Sequence, residues 1–146
     1  MNVQSLLNKR SRGAIGISHN ATIQECVALL ADENLGALIV YDAHEKAVGI
    51  LTERDITHGL AKWGTLILNR YVTELMTTKL VTCLPQDSLK DLMPVMIDRG
   101  FRHLPVIDGG EVLGVISMRD LVRERISEME LETNILRDMA AIHKPA

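Results

Sequence analysis

The heptapeptide Gly49-Ile50-Leu51-Thr52-Glu53-Arg54-Asp55 has a second copy in this chain, Gly114-Val115-Ile116-Ser117-Met118-Arg119-Asp120. Each copy is a glycine, two aliphatic residues, a hydroxyl residue and an aspartate three positions beyond it. The correspondence extends outwards. At an offset of 66, Thr22 falls on Ser88, Glu25 on Asp91, Leu38 on Leu104, Val40 on Val106 and Asp42 on Asp108. At an offset of 65, Gly49 falls on Gly114, Arg54 on Arg119 and Asp55 on Asp120, so one residue is lost in the turn between. A surface turn is where a duplicated unit tolerates such a loss. A unit of about 55 residues buries too little surface to stand comfortably alone. Two units packed sheet to sheet remove that difficulty and create a pseudo-twofold axis with clefts across it.

Reading in chain order gives an α+β fold of two β-α-β-β-α repeats with a long C-terminal helix. Residues 1–11 form an N-terminal helical segment, 12–64 repeat one, 65–77 a linker, 78–127 repeat two and 128–146 a helical extension. Ala14 to Ser18 reads as a short strand. Thr22 opens a helix through a capping box with Glu25, and Ile23, Cys26, Val27 and Leu30 supply its apolar face. Gly36 to Tyr41 and Ala47 to Leu51 form a hairpin, after which Thr52 caps a second helix to about Lys62. Val72, Leu75 and Met76 anchor the linker. Repeat two restarts with a strand from Leu80 to Leu84, a helix from Ser88, strands Arg102–Asp108 and Val112–Ile116 around Gly109-Gly110, and a helix from Ser117. Pro94 falls inside the first of these helices, where a kink near Leu92 is expected. The last helix continues to about Ile142. Val122, Ile126, Met129, Thr133, Leu136 and Ala140 follow a 4, 3, 4, 3, 4 spacing. That seam either packs on its own domain or contacts a second copy in a homodimer.

Composition narrows the partners. The net charge of −3 gives no general basic field for nucleic acid. No apolar run reaches the ~20 residues of a membrane span, and Met1 to Arg12 lacks the apolar centre of a signal peptide. Cys26 lies on a helical stripe and Cys83 in a strand-like run. Both read as buried thiols of a reducing, cytoplasmic setting rather than a disulfide or metal pair.

The repeated Thr52-x-x-Asp55 and Ser117-x-x-Asp120 have two compatible readings. Each is a capping box. Each also places a carboxylate able to accept hydrogen bonds from two neighbouring ribose hydroxyls, beside a helix N-terminus that favours phosphate. No nucleotide-loop, zinc-protease or nucleophile-elbow motif accompanies them, the five histidines are scattered, and no catalytic cofactor, metal site or enzymatic activity is expected.

These two motifs, together with Arg102-His103-Leu104-Pro105-Val106 and the repeat spacing, resemble a tandem pair of CBS domains, the Bateman module. The resemblance covers about Arg12 to Ser127. It implies a regulatory module binding an adenine nucleotide such as AMP, ADP, ATP or NAD, sometimes S-adenosylmethionine, in clefts between the repeats. It also implies pairing into a homodimer and action through an effector protein. In that family a cleft takes its ribose aspartate from one repeat and its phosphate contacts from the other. Carried over, Asp55 and Thr52 face Arg102 and His103, Arg54 and Lys79 are further phosphate ligands, and Ile50 and Val81 flank the adenine, whose edge is read by backbone near Val81. A second, weaker site has Asp120, Ser117, Val115 and Arg119, but Gly36 and Ala37 stand where the first has Arg102 and His103; Arg12 or Arg119 is a possible substitute. The alternative to a sensor is a ligand-free interaction and dimerisation scaffold.

Overall fold

The computed structural model describes residues 1–9 and 14–142. Helix α1 (Val3–Asn8) starts at Asn2, whose side chain accepts the Ser5 N–H. Repeat one follows as β1 (Gly16–Ser18), α2 (Ile23–Glu33), β2 (Ala37–Tyr41), β3 (Ala47–Thr52) and α3 (Glu53–Trp63). Two short 3₁₀ segments, Gly64–Asn69 and Val72–Glu74, lead to repeat two: α4 (Leu89–Arg99), β4 (His103–Asp108), β5 (Glu111–Ser117) and α5 (Met118–Ile142). Strand β1 runs parallel to β2, and β2 is antiparallel to β3, in a three-stranded sheet. Strands β4 and β5 form an antiparallel hairpin closed by Gly109 and Gly110, at φ 59° and 82°. Positive φ at both central residues is the turn geometry that matches strand twist, and glycine adopts it without strain.

Strand alternation divides the core into three layers. In β2 and β3, Leu38, Val40 and Leu51 face α2 and α3, where Ile23, Cys26, Leu30 and Ile56 complete one apolar cluster. In β4 and β5, Leu104, Val106 and Ile116 face α4 and α5, meeting Leu89, Met96 and Leu121. The opposite faces meet each other: Ala37, Ile39 and Ile50 of repeat one pack against Leu80, Val112 and Val115 of repeat two. This middle layer is the pseudo-twofold contact that the duplication demands.

The segments before the two repeats are exchanged. Helix α1 packs on repeat two, with Val3 and Leu6 buried in its cluster and the Val3 and Gln4 N–H groups donating to the Asp87 and Pro85 carbonyls at 2.9 and 2.8 Å. The linker packs on repeat one, where Thr77 and Ile50 exchange backbone hydrogen bonds of 2.9 and 3.0 Å. The two motif glycines make room for this. A Cβ on Gly114 would stand 2.7 Å from Leu7 Cδ2, and one on Gly49 2.5 Å from Met76 Sδ.

Three expectations are corrected. Leu80 to Leu84 is not a strand: Cys83 alone makes a parallel bridge to Val106, because the stretch ahead of it turns away to line a cleft. Ser88 precedes α4 without a side-chain cap bond, whereas Thr22 accepts the Glu25 N–H at 3.2 Å and only that half of its box forms. Val27, placed on the buried face of α2, is exposed. Helix α4 continues through Pro94; that residue and Lys90 are exposed, so water reaches the carbonyl whose donor proline lacks.

Candidate functional site

The first-turn geometry of α3 fixes Asp55. Its Oδ2 accepts the Thr52 N–H at 2.9 Å and the Thr52 hydroxyl at 3.0 Å, while Thr52 Oγ1 accepts the Asp55 N–H at 3.3 Å. The capping box is therefore complete. It uses one carboxylate oxygen, and Oδ1 takes no bond from the described residues. The cap and the ligand reading thus fall on different atoms of one side chain. Asp120 repeats the arrangement: its Oδ2 accepts the Ser117 N–H at 2.9 Å and hydroxyl at 2.7 Å.

The helix N-termini are less open to anions than the sequence suggests. The first N–H of α3, from Glu53, donates to the Gly36 carbonyl at 3.0 Å. The first N–H of α5, from Met118, donates to the Arg102 carbonyl at 2.8 Å. With Asp55 N–H bound to Thr52, the Arg54 N–H is the first-turn donor of α3 that takes no bond among the described residues, and Arg54 lines the cleft.

All eight residues assigned to the first site line one cavity of about 180 Å³: Ile50, Thr52, Arg54 and Asp55 from repeat one, and Lys79, Val81, Arg102 and His103 from the segment opposite. Ile50 is buried and Val81 half-buried, giving two apolar walls. The Val81 N–H and carbonyl make no bond among the described residues, so this backbone can read the edge of a base. Gly36, Glu53, Thr77, Gly100, Phe101 and Pro105 complete the lining. Phe101 was not among the expected site residues: it adjoins Arg102 but lies outside both heptapeptides and outside the Arg102–Val106 stretch that carries the family resemblance.

The six residues of the second site also come together, in a wider cleft of about 850 Å³: Gly36, Ala37, Val115, Ser117, Arg119 and Asp120. This cleft is richer than residue-by-residue matching implied. Arg102 and His103 line it as well as the first, so the two clefts share one wall with Gly36 and Glu53. Lys9 and Arg123 add further cations, and Lys9 reaches Glu124 at 2.8 Å. Neither was legible, because Lys9 arrives only through the crossing of α1 onto repeat two. Gly36 is less a missing ligand than a space: a Cβ there would stand 2.9 Å from His103 Nε2. Ala37 is buried and faces the middle layer. Arg12 lies outside the described residues.

Two sheets back to back, clefts across a pseudo-twofold axis and a Thr/Ser-x-x-Asp cap at each define a paired-repeat module. The chain belongs to the CBS-domain family as a tandem pair, and the family's sequence model matches residues 10–62 and 72–127. It is 34% identical over 108 residues to an uncharacterized 17.7 kDa protein of Acidianus ambivalens, covering 73% of this chain and 64% of that one. It spans only 32% and 38% of two further curated relatives, from Thermofilum pendens and Methanocaldococcus jannaschii. A CBS domain-containing protein of Bacillus subtilis, YhcV, is 34% identical over 76% of this chain and 78% of its own. Among solved structures, the CBS-domain containing protein ATU1752 of Agrobacterium tumefaciens superposes with a TM-score of 0.82 at 33% identity, covering 86% of this chain and 99% of that one. The CBS pair of protein MJ0100, solved with 5-methylthioadenosine and S-adenosyl-L-methionine, gives 0.77 at 26% identity over 88% and 98%.

Proposed function

We propose that this CBS pair is a regulatory sensor whose first cleft binds an adenine nucleotide, AMP, ADP, ATP or NAD, and that it acts through a partner protein rather than by catalysis. The observation that carries the reading is the single cavity holding Asp55, with one carboxylate oxygen left over from its cap, opposite Arg102, His103 and Lys79. Asp55 Oδ1 takes ribose hydroxyls, Ile50 and Val81 sandwich the base, and the cations of repeat two meet the phosphates. Ribose and phosphate then tie opposite repeats together. Ligand binding changes the relative free energy of two repeat orientations, which is what a regulated partner senses. The adenosine-containing ligands bound by MJ0100 support the same chemical class. A homodimer through the exposed stripe of α5 belongs to this reading, as does a cytoplasmic setting; among the described residues no helix is long and apolar enough to cross a membrane.

A second reading is a scaffold whose clefts hold no ligand. It is favoured by the size of the first cavity, about 180 Å³, where ligand pockets run to roughly 300–1,000 Å³. Thermal unfolding of nucleotide-free protein and of Asp55→Ala, with AMP, ADP, ATP, NAD and S-adenosylmethionine, separates the two. A ligand at 100 times its Kd adds about 2.7 kcal/mol, several degrees for a domain of this size. A selective shift that Asp55→Ala abolishes supports the sensor; no shift with any compound supports the scaffold.

A further inference from the structure

We infer that α5 forms a parallel, in-register two-stranded coiled coil with α5 of a second copy of this chain, an orientation that rests on the dimer just proposed. The contacts of α5 with its own body end at Glu128: Leu121 and Glu124 are buried, Arg125 and Glu128 half-buried, and every residue from Met129 to Ile142 is exposed. A free helix that short is marginal in water. Its seam is open along its length, with Val122 41%, Ile126 51%, Met129 53% and Leu136 60% exposed. The polar member, Thr133, donates its hydroxyl to the Met129 carbonyl at 2.9 Å and so enters an apolar interface without an unsatisfied group.

The charges flanking the seam choose the orientation. Taking Ile126, Thr133 and Ala140 as a positions and Val122, Met129 and Leu136 as d positions, Arg125 and Glu132 fall at g and Glu130 and Arg137 at e. Parallel strands bring each g beside the e of the following heptad on the other copy. The pairs are then Arg125 with Glu130 and Glu132 with Arg137, each made twice by symmetry and each of opposite sign. Arg125 already meets Glu128 of its own helix at 3.3 Å, which leaves the rest of its donor fork for the second copy. An antiparallel pairing of the same seam, centred near Leu131, opposes Arg123 to Arg137 and sets Glu130 and Glu132 each against its own copy. Those contacts are like-charged throughout.

Met129→Cys and Leu136→Cys, made separately in the full chain and oxidised with glutathione disulfide, test the orientation; the native Cys26 and Cys83 are buried. Parallel strands place each new thiol opposite its own copy, and both variants form covalent dimers. The two positions lie about 10 Å apart along the helix, so antiparallel strands cannot bring both pairs within the ~7 Å Cα reach of a disulfide. A dimer by sedimentation that cross-links at one position or neither overturns the parallel seam while leaving the dimer standing. A wild-type chain that sediments as a monomer overturns both. In the same assay Glu130→Arg weakens dimerisation about tenfold at low salt and Arg125→Glu restores it; an unchanged dimer constant for Glu130→Arg overturns the charge argument.

Discussion

The His103 imidazole stands over Gly36, so close that a Cβ on that glycine would lie 2.9 Å from Nε2 and 3.1 Å from Cε1. Gly36 belongs to the turn into β2 and His103 to the start of β4, so this contact joins the two repeats at the wall both clefts share. Gly36→Ala pushes against a side chain and not against backbone. It is expected to cost at most about 1 kcal/mol in urea unfolding and to weaken nucleotide binding in the first cleft severalfold by titration calorimetry. Arg102→Ala, on the same wall, is expected to weaken that binding with little change in stability, because Arg102 is exposed. Unchanged affinity in both variants would contradict a role for the shared wall.

Much of this was readable from local rules and little from beyond them. The bonds of Thr52 with Asp55 span three residues, so spacing alone reveals the cap. The Gly109-Gly110 turn announces its hairpin for the same reason. The stretch from Leu80 to Leu84 has strand composition, yet its neighbours in space, α1 and the cleft, come from elsewhere in the chain. Val27 follows the apolar period of α2 and still lies outside the core. Repeat matching singled out Asp55 and Asp120, and the family resemblance added Arg102 and His103. Neither compares positions across space, so that Arg102 and His103 line both clefts was not legible in the sequence.

The cap and the ligand oxygen of Asp55 are separable by mutation. Thr52→Ala removes the hydroxyl that accepts the Asp55 N–H and donates to Oδ2. It leaves Oδ1 and the backbone bond from Thr52 N–H in place. The expected result is about 1 kcal/mol of lost stability with ligand affinity within a fewfold of wild type. Asp55→Ala should lose a similar amount of stability and, in addition, all ligand-induced stabilisation. Chemical denaturation with and without saturating ligand measures both quantities.

The two motif glycines are not expected to tolerate alanine equally. At Gly49 the added Cβ meets Met76 Sδ at 2.5 Å, Cγ at 2.9 Å and the Thr77 carbonyl oxygen at 3.1 Å, and that carbonyl is held by Ile50 N–H. At Gly114 its close contact is Leu7 Cδ2 at 2.7 Å, the end of a flexible side chain. Gly49→Ala should cost about 1–3 kcal/mol and Gly114→Ala distinctly less, by urea unfolding of the two variants side by side.

Alkaline pH should destabilise the protein through its thiols. Burial raises the Cys26 thiol from 9.0 to about 11, and burial with the charge of Asp87 raises Cys83 to about 12. Below pH 9 both states keep the thiols protonated and nothing is lost. Between pH 9 and about 11 the unfolded chain ionises them while the native chain does not. Stability then falls by roughly 1.4 kcal/mol per pH unit per thiol. Unfolding at pH 8, 9 and 10 should show a steeper decline for the wild type than for Cys26→Ala/Cys83→Ala, and native protein at pH 8 should resist alkylation.

The crossing of α1 makes the two repeats unequal as stretches of chain. The apolar cluster of repeat one draws only on residues 15–76, and the linker that closes over it follows it directly, so a cut after Thr77 leaves that core and its strap together. The cluster of repeat two takes Val3 and Leu6 from the opposite end of the chain, so the same cut uncovers it. Repeat one is continuous in sequence, and repeat two is completed only by residues that precede its partner.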